Sequence, residues 1–165
     1  MRVGQKGRLC YRWWTRGRRP PGPRDQRYAW TYIFGAVRPD GEHSFALVLP
    51  VANTAAMQVF LDQFAATLEP DVHAVMVLDQ AGWHGASALD MPPNVTLVPL
   101  PPYSPQLNSI ERVWLFLRER FLSLRLFDDA DEIVDACCVA WNALATDRDR
   151  IRSLCWQPWI RKVME

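Results

Sequence analysis

Two hydrophobic periods alternate along this chain, and the turns between them divide it into elements. Residues 28–37 are aromatic and β-branched and predict a strand. Pro39, Asp40, Gly41 and Glu42 are turn residues, and 43–49 predicts a second strand, so the two should pair as an antiparallel hairpin. Thr54 can cap a helix whose apolar positions Met57, Phe60, Leu61, Phe64 and Leu68 follow the helical period. The continuous apolar run 74–78 reads as a strand covered on both faces, and 95–100 as another short strand. A helix over 108–121 would carry Ile110, Val113, Trp114, Leu117 and Phe121 on one side. A last helix over 129–145 would turn Ile133, Cys137, Ala140, Trp141 and Leu144 inward. Proline and glycine break any regular structure over 15–27, and no internal repeat is visible. A hairpin followed by strands that alternate with helices predicts a mixed α/β sheet flanked by helices.

Composition narrows the class. A chain of 165 residues suits one domain with a real core, and 49% apolar content with eight Trp excludes a disordered chain. No apolar run is long enough to span a membrane, and no secretory signal is visible. Cys10, Cys137, Cys138 and Cys155 match no zinc spacing, and the adjacent pair reads as small buried residues. A reduced, cytoplasmic protein is expected.

The net charge of +1 hides an asymmetry. Residues 1–27 carry nine Lys/Arg against one acid, Asp25, for +8, whereas the rest carries ten basic and seventeen acidic residues, for −7. Arg12, Arg16, Arg18, Arg19 and Arg24 stand near Tyr11, Trp13 and Trp14, a mixture suited to a phosphate backbone and stacked bases. A solvated basic arm is the alternative. The organisation expected is a basic arm and loop over 1–27, an α/β domain over 28–147 and a tail over 148–165.

Candidate chemistry lies in two segments, 75–84 and 101–114. Asp79 ends the apolar strand, where ligand sites of α/β sheets gather, although an Asx turn would use the same residue. Glu111 follows a proline-rich turn and opens a helix. With Asn108 as N-cap it could serve a capping-box variant, which does not exclude metal binding. His84 could contact a phosphate or simply pack or cap. No Gly-rich phosphate loop, nucleophile elbow or Cys/His metal spacing occurs. A polyproline ligand over 99–105 is the weaker reading of that stretch, whose position suits a stiff approach to Glu111.

Taken together, Leu-Asp-Gln-Ala-Gly-Trp-His (78–84), Pro-Pro-Tyr-Ser-Pro-Gln-Leu-Asn-Ser-Ile-Glu-Arg-Val-Trp (101–114), Tyr-Ile-Phe-Gly-Ala-Val (32–37) and the Asp-Ala-Cys and Ala-Trp-Asn-Ala-Leu pieces of 135–144 resemble the DDE-superfamily transposases of bacterial insertion sequences. The similarity is to the mariner-related group named for insertion sequence 630. It implies an RNase H-like fold, a three-carboxylate site holding two Mg²⁺ or Mn²⁺ ions, and DNA as partner, both element ends and target. By motif position Asp79 matches the second acid, Glu111 the third, and Asn108 the asparagine preceding it.

The departure is at the start. Family members carry a first aspartate, commonly as Asp-Glu, just before a stretch like residues 2–7, and neither Asp25 nor Asp40 replaces it. The expectation is therefore a catalytic-domain fragment cut inside its first, central strand, without a helix-turn-helix region and inactive alone. Apolar strand edges left unpaired would favour association, a homodimer included. Rival readings are a non-catalytic DNA-binding remnant, another RNase H-like nuclease such as a resolvase, and a partner-binding α/β domain.

Overall fold

The computed structural model describes residues 1–5, 13–19, 27–80, 88–123 and 125–164. Among the described residues there are five strands: β1 (Arg2–Gly4), β2 (Trp30–Val37), β3 (Ser44–Leu49), β4 (Ala74–Leu78) and β5 (Val95–Pro99). The helices are α1 (Thr54–Ala66), α2 (Ile110–Leu117), α3 (Ala130–Ala145), α4 (Arg148–Cys155) and α5 (Pro158–Met164). A 3₁₀ turn (Pro105–Leu107) precedes α2, and a π-helical turn (Arg118–Leu122) follows it. No helix among the described residues is long and apolar enough to cross a membrane.

The expected hairpin forms, with Tyr32 opposite Leu49 and Val37 opposite Ser44. Its turn closes through the Arg38 N–H to the His43 carbonyl (2.7 Å) and the Glu42 N–H to the Asp40 carboxylate (2.9 Å). β1 extends this sheet antiparallel to β2, with Val3 opposite Thr31. β1 thus pairs part of the β2 edge that a shortened first strand would leave open. The Met1 carbonyl accepts from the Ile33 N–H at 2.8 Å, which continues the pairing by one residue. β4 and β5 form a separate parallel pair, Met76 opposite Leu97.

Alternation along the strands sorts side chains into two cores. On one face Phe34, Ala36, Phe45, Leu47, Met76 and Leu97 meet Met57, Phe60, Leu61 and Phe64 of α1. On the other, Val3, Ile33 and Val48 meet α2, α3 and α4 through Val113, Trp114, Leu117, Ile133, Trp141 and Ile151. Helices therefore cover both faces of the β1–β2–β3 sheet. β4 differs from expectation, because Val75 is 64% exposed and Val77 is exposed beside it, so only its Met76 and Leu78 face is covered.

Several sequence expectations change in detail. Asn53, not Thr54, caps α1, its side chain accepting from the Ala56 N–H at 2.8 Å. The helix expected over 108–121 begins as α-helix at Ile110 and passes into a π turn at Arg118. In its π turn the wider winding brings Phe121 under Phe116, ring centroids 6.0 Å apart, where five residues of α-helix would separate them around the axis. Cys137 is buried but Cys138 is exposed, since neighbouring positions point about 100° apart on a helix. The segment expected as a tail is helical: α4 buries Ile151 and Cys155 completely, capped by Asp147, whose side chain accepts from the Arg150 N–H at 2.9 Å.

Candidate active site

Asp79 is the first residue past β4, exposed at the carboxyl end of the strand. Two bonds bracket it. The Leu78 carbonyl accepts from the Leu100 N–H at 2.8 Å, and Gln80 Nε2 donates to the Leu100 carbonyl at 2.9 Å. Leu100 is itself buried, so the end of β4 is fixed against the start of the segment that leads to Glu111.

That segment carries backbone strain. Tyr103 adopts φ 56°, a left-handed conformation in which a bulky side chain is unusual, and its ring is fully exposed. The chain then tightens into the 3₁₀ turn, with the Leu107 N–H donating to the Ser104 carbonyl at 3.0 Å.

Glu111 lies in the first turn of α2, exposed, one turn before the buried Trp114. The capping box expected from Asn108 does not form. The N-cap is Ser109, which makes no side-chain cap bond, so Glu111 stands two residues past the cap and not the three that a capping box needs. Asn108 is half-buried, and its backbone carbonyl accepts from the Glu111 N–H at 3.1 Å.

Both acids also bear on the titration of one backbone group. The α-ammonium of Met1 is largely buried, donates to the Ile33 carbonyl, and has its pKa lowered to about 6. Burial is the main cause. The charge of Glu111 opposes that shift, Arg118 adds to it, and Asp79 opposes it more weakly. At neutral pH the amine is therefore mostly uncharged, and it feels both carboxylates, 32 residues apart in sequence, only as it takes up its proton.

Of the remaining sequence candidates, three arginines are among the described residues. Arg16, Arg18 and Arg19 are exposed on a turn closed by the Arg18 N–H to the Thr15 carbonyl at 3.2 Å, with Gly17 at φ 81° and exposed Trp13 and Trp14 before it. Arg12, Arg24 and His84 lie outside the described residues. Among the described residues no group of three His, Cys, Asp or Glu could hold a metal ion. The donor chemistry of Asp79 and Glu111 nonetheless fits a hard divalent cation, since carboxylate oxygens are its preferred protein ligands.

Residues 1–134 match the family described as DDE superfamily endonuclease. The chain belongs to that superfamily. It is 46% identical over 133 residues to the uncharacterized protein y4pE/y4sA of Sinorhizobium fredii, covering 81% of this chain and 98% of the relative. The fold is similar to a chain in the crystal structure of the Mos1 strand transfer complex, with a TM-score of 0.58 over 93% of this chain at 15% identity. At that identity the likeness concerns fold alone, and it establishes an RNase H-like mixed α/β fold. This chain spans about half, 52%, of the Mos1 chain.

Proposed function

We propose that this chain is a catalytic-domain segment of a DDE transposase that acts on DNA, with Asp79 and Glu111 as ligands for Mg²⁺ or Mn²⁺. The observation that carries this reading is the match of residues 1–134 to the DDE superfamily endonuclease family, supported by the bonds that fix the end of β4, beside Asp79, to Leu100 at the head of the segment leading to Glu111. When bound, a divalent ion would supply Lewis-acid stabilisation of charge on a phosphodiester. The chain's own part is positional. Leu100 fixes the end of β4 beside Asp79, the strained turn at Tyr103 redirects the backbone, and α2 presents Glu111. Arg16, Arg18 and Arg19 are the described side chains best suited to phosphate contacts, with Arg12 and Arg24 their sequence neighbours in the same role.

In this reading the 165-residue chain does not cut DNA unaided, because Asp79 and Glu111 supply only two of the three acids that the family resemblance implies. The same observation favours a second reading, a DNA-binding protein without chemistry. Cleavage of supercoiled plasmid with Mn²⁺ separates them. The chain should match its Asp79→Asn control. A form carrying Asp-Glu in front of Met1 should nick, and should lose nicking on Asp79→Asn or Glu111→Gln. No nicking by the extended form, with DNA binding intact, would leave the non-catalytic reading standing.

A further inference from the structure

The helix α4 lies beyond the residues that match the family, yet it is tied to the turn that carries Glu111. Ser109 Oγ donates to the Cys155 carbonyl at 3.1 Å, and Cys155 Sγ returns a weak bond to the Ser109 carbonyl at 3.9 Å. Arg112 Nη1 donates to the Leu154 carbonyl at 3.4 Å. The residues on either side of Ile110 and Glu111 are therefore both attached to the last turn of α4.

The chemistry of helix ends explains the arrangement. The final carbonyls of α4 have no partner within their own helix, and side chains of α2 supply it. The partial negative end of α4 also meets the partial positive start of α2, a favourable head-to-tail contact. Ser109 gives up its usual capping role for this, which is why α2 begins without a side-chain cap. Burial pushes the Cys155 thiol up to about 11, so it remains a protonated donor at neutral pH.

At its first residue and again at Arg152 in its last turn, α4 is anchored to the β2–β3 turn. Arg148 pairs with Glu42 at 3.1 Å, and Arg152 Nε donates to the Asp40 carbonyl at 3.2 Å. A Cβ at Gly41 would stand 2.5 Å from the Arg148 carbonyl oxygen, so the two backbones meet with no room for a side chain. Ile151, completely buried, fixes the rotation of the helix between these anchors.

The geometry points to α4 as a latch that holds the first turn of α2 and so sets the position of Glu111, with Ser109 and Arg112 as positioning residues. This rests on the proposed role of Glu111 as a metal ligand. The test uses the 165-residue chain, with amide hydrogen exchange read across α2 and Mn²⁺ affinity read by electron paramagnetic resonance. Ser109→Ala should speed exchange at residues 110–113 severalfold while α1 stays unchanged. It should weaken Mn²⁺ binding about tenfold, the lower end of the effect of losing a partner that orients a ligand. Ser109→Thr, which keeps the hydroxyl, should restore both. Arg112→Met should act in the same direction and more weakly. Exchange in Ser109→Ala equal to that of the parent chain overturns the latch. Faster exchange combined with Mn²⁺ affinity insensitive to Glu111→Gln instead sinks the metal-ligand reading and, with it, the positioning role.

Discussion

The ring of Trp114 occupies the space that a side chain at Gly35 would need: a Cβ there would stand 2.7 Å from Trp114 Cη2. Trp141 closes the same space at 2.9 Å, and the two indoles pack 6.1 Å apart. A strand without a side chain at this point lets the helix of Glu111 approach the sheet closely. Gly35→Ala should therefore destabilise the chain by about 1–3 kcal/mol, as overpacking of a filled core does. Urea denaturation measures this, and a change within error would mean that the indoles can shift freely.

Stability should also depend on the free amine of Met1. Its pKa is about 6 when folded against an ordinary 8.0. Between those values the unfolded chain binds more protons, so stability rises from pH 6 to pH 8 and is level beyond each limit. The gain is bounded at roughly 2–3 kcal/mol, since each pKa unit corresponds to about 1.4 kcal/mol. The difference in urea midpoint between pH 5.5 and 8.5 should shrink when the amine is acetylated. An unchanged difference would assign the pH dependence to other groups.

Tyr103 holds a left-handed backbone with an exposed ring, so glycine should suit the position better. Relief of about 1–2 kcal/mol of steric cost exceeds the extra chain entropy of glycine, about 0.5–1 kcal/mol, so Tyr103→Gly should raise stability slightly. Thermal melting checks the sign. A loss of stability would mean that the tyrosine ring holds the turn in place.

If the exposed arginines carry DNA, salt reports it. Replacing Arg16, Arg18 and Arg19 by Ala should flatten the dependence of log K on log salt by up to about 2.7, at roughly 0.9 for each duplex phosphate that is no longer neutralised. Fluorescence anisotropy with a duplex of arbitrary sequence reads the slope. The same slope in parent and variant would place DNA elsewhere on the protein.

Elements with many periodic apolar residues were legible in the sequence. α3 turns Ile133, Cys137, Ala140, Trp141 and Leu144 inward as their spacing implies, and the hairpin lies where its turn residues put it. Elements resting on few anchors were not. α4 buries only Ile151 and Cys155 within a charged stretch, too little for a periodic signal, although Asp147 offered a cap. β1 is three residues long and is defined by its partner, not by its own pattern. The motifs singled out Asp79 and Glu111, and the strand and helix patterns placed them at the end of β4 and the start of α2. Ser109 looked unremarkable because its bond runs to Cys155, 46 residues away.

The half-covered strand β4 carries a consequence for how this sequence can drift. Met76 and Leu78 pack beneath α1, while Val75 and Val77 face outward. Under random substitution, survivors at 76 and 78 will be confined to apolar residues of similar volume, whereas 75 and 77 will accept threonine, lysine or glutamate. Tolerance along 74–78 will therefore beat with a period of two, in a stretch whose present residues are uniformly apolar.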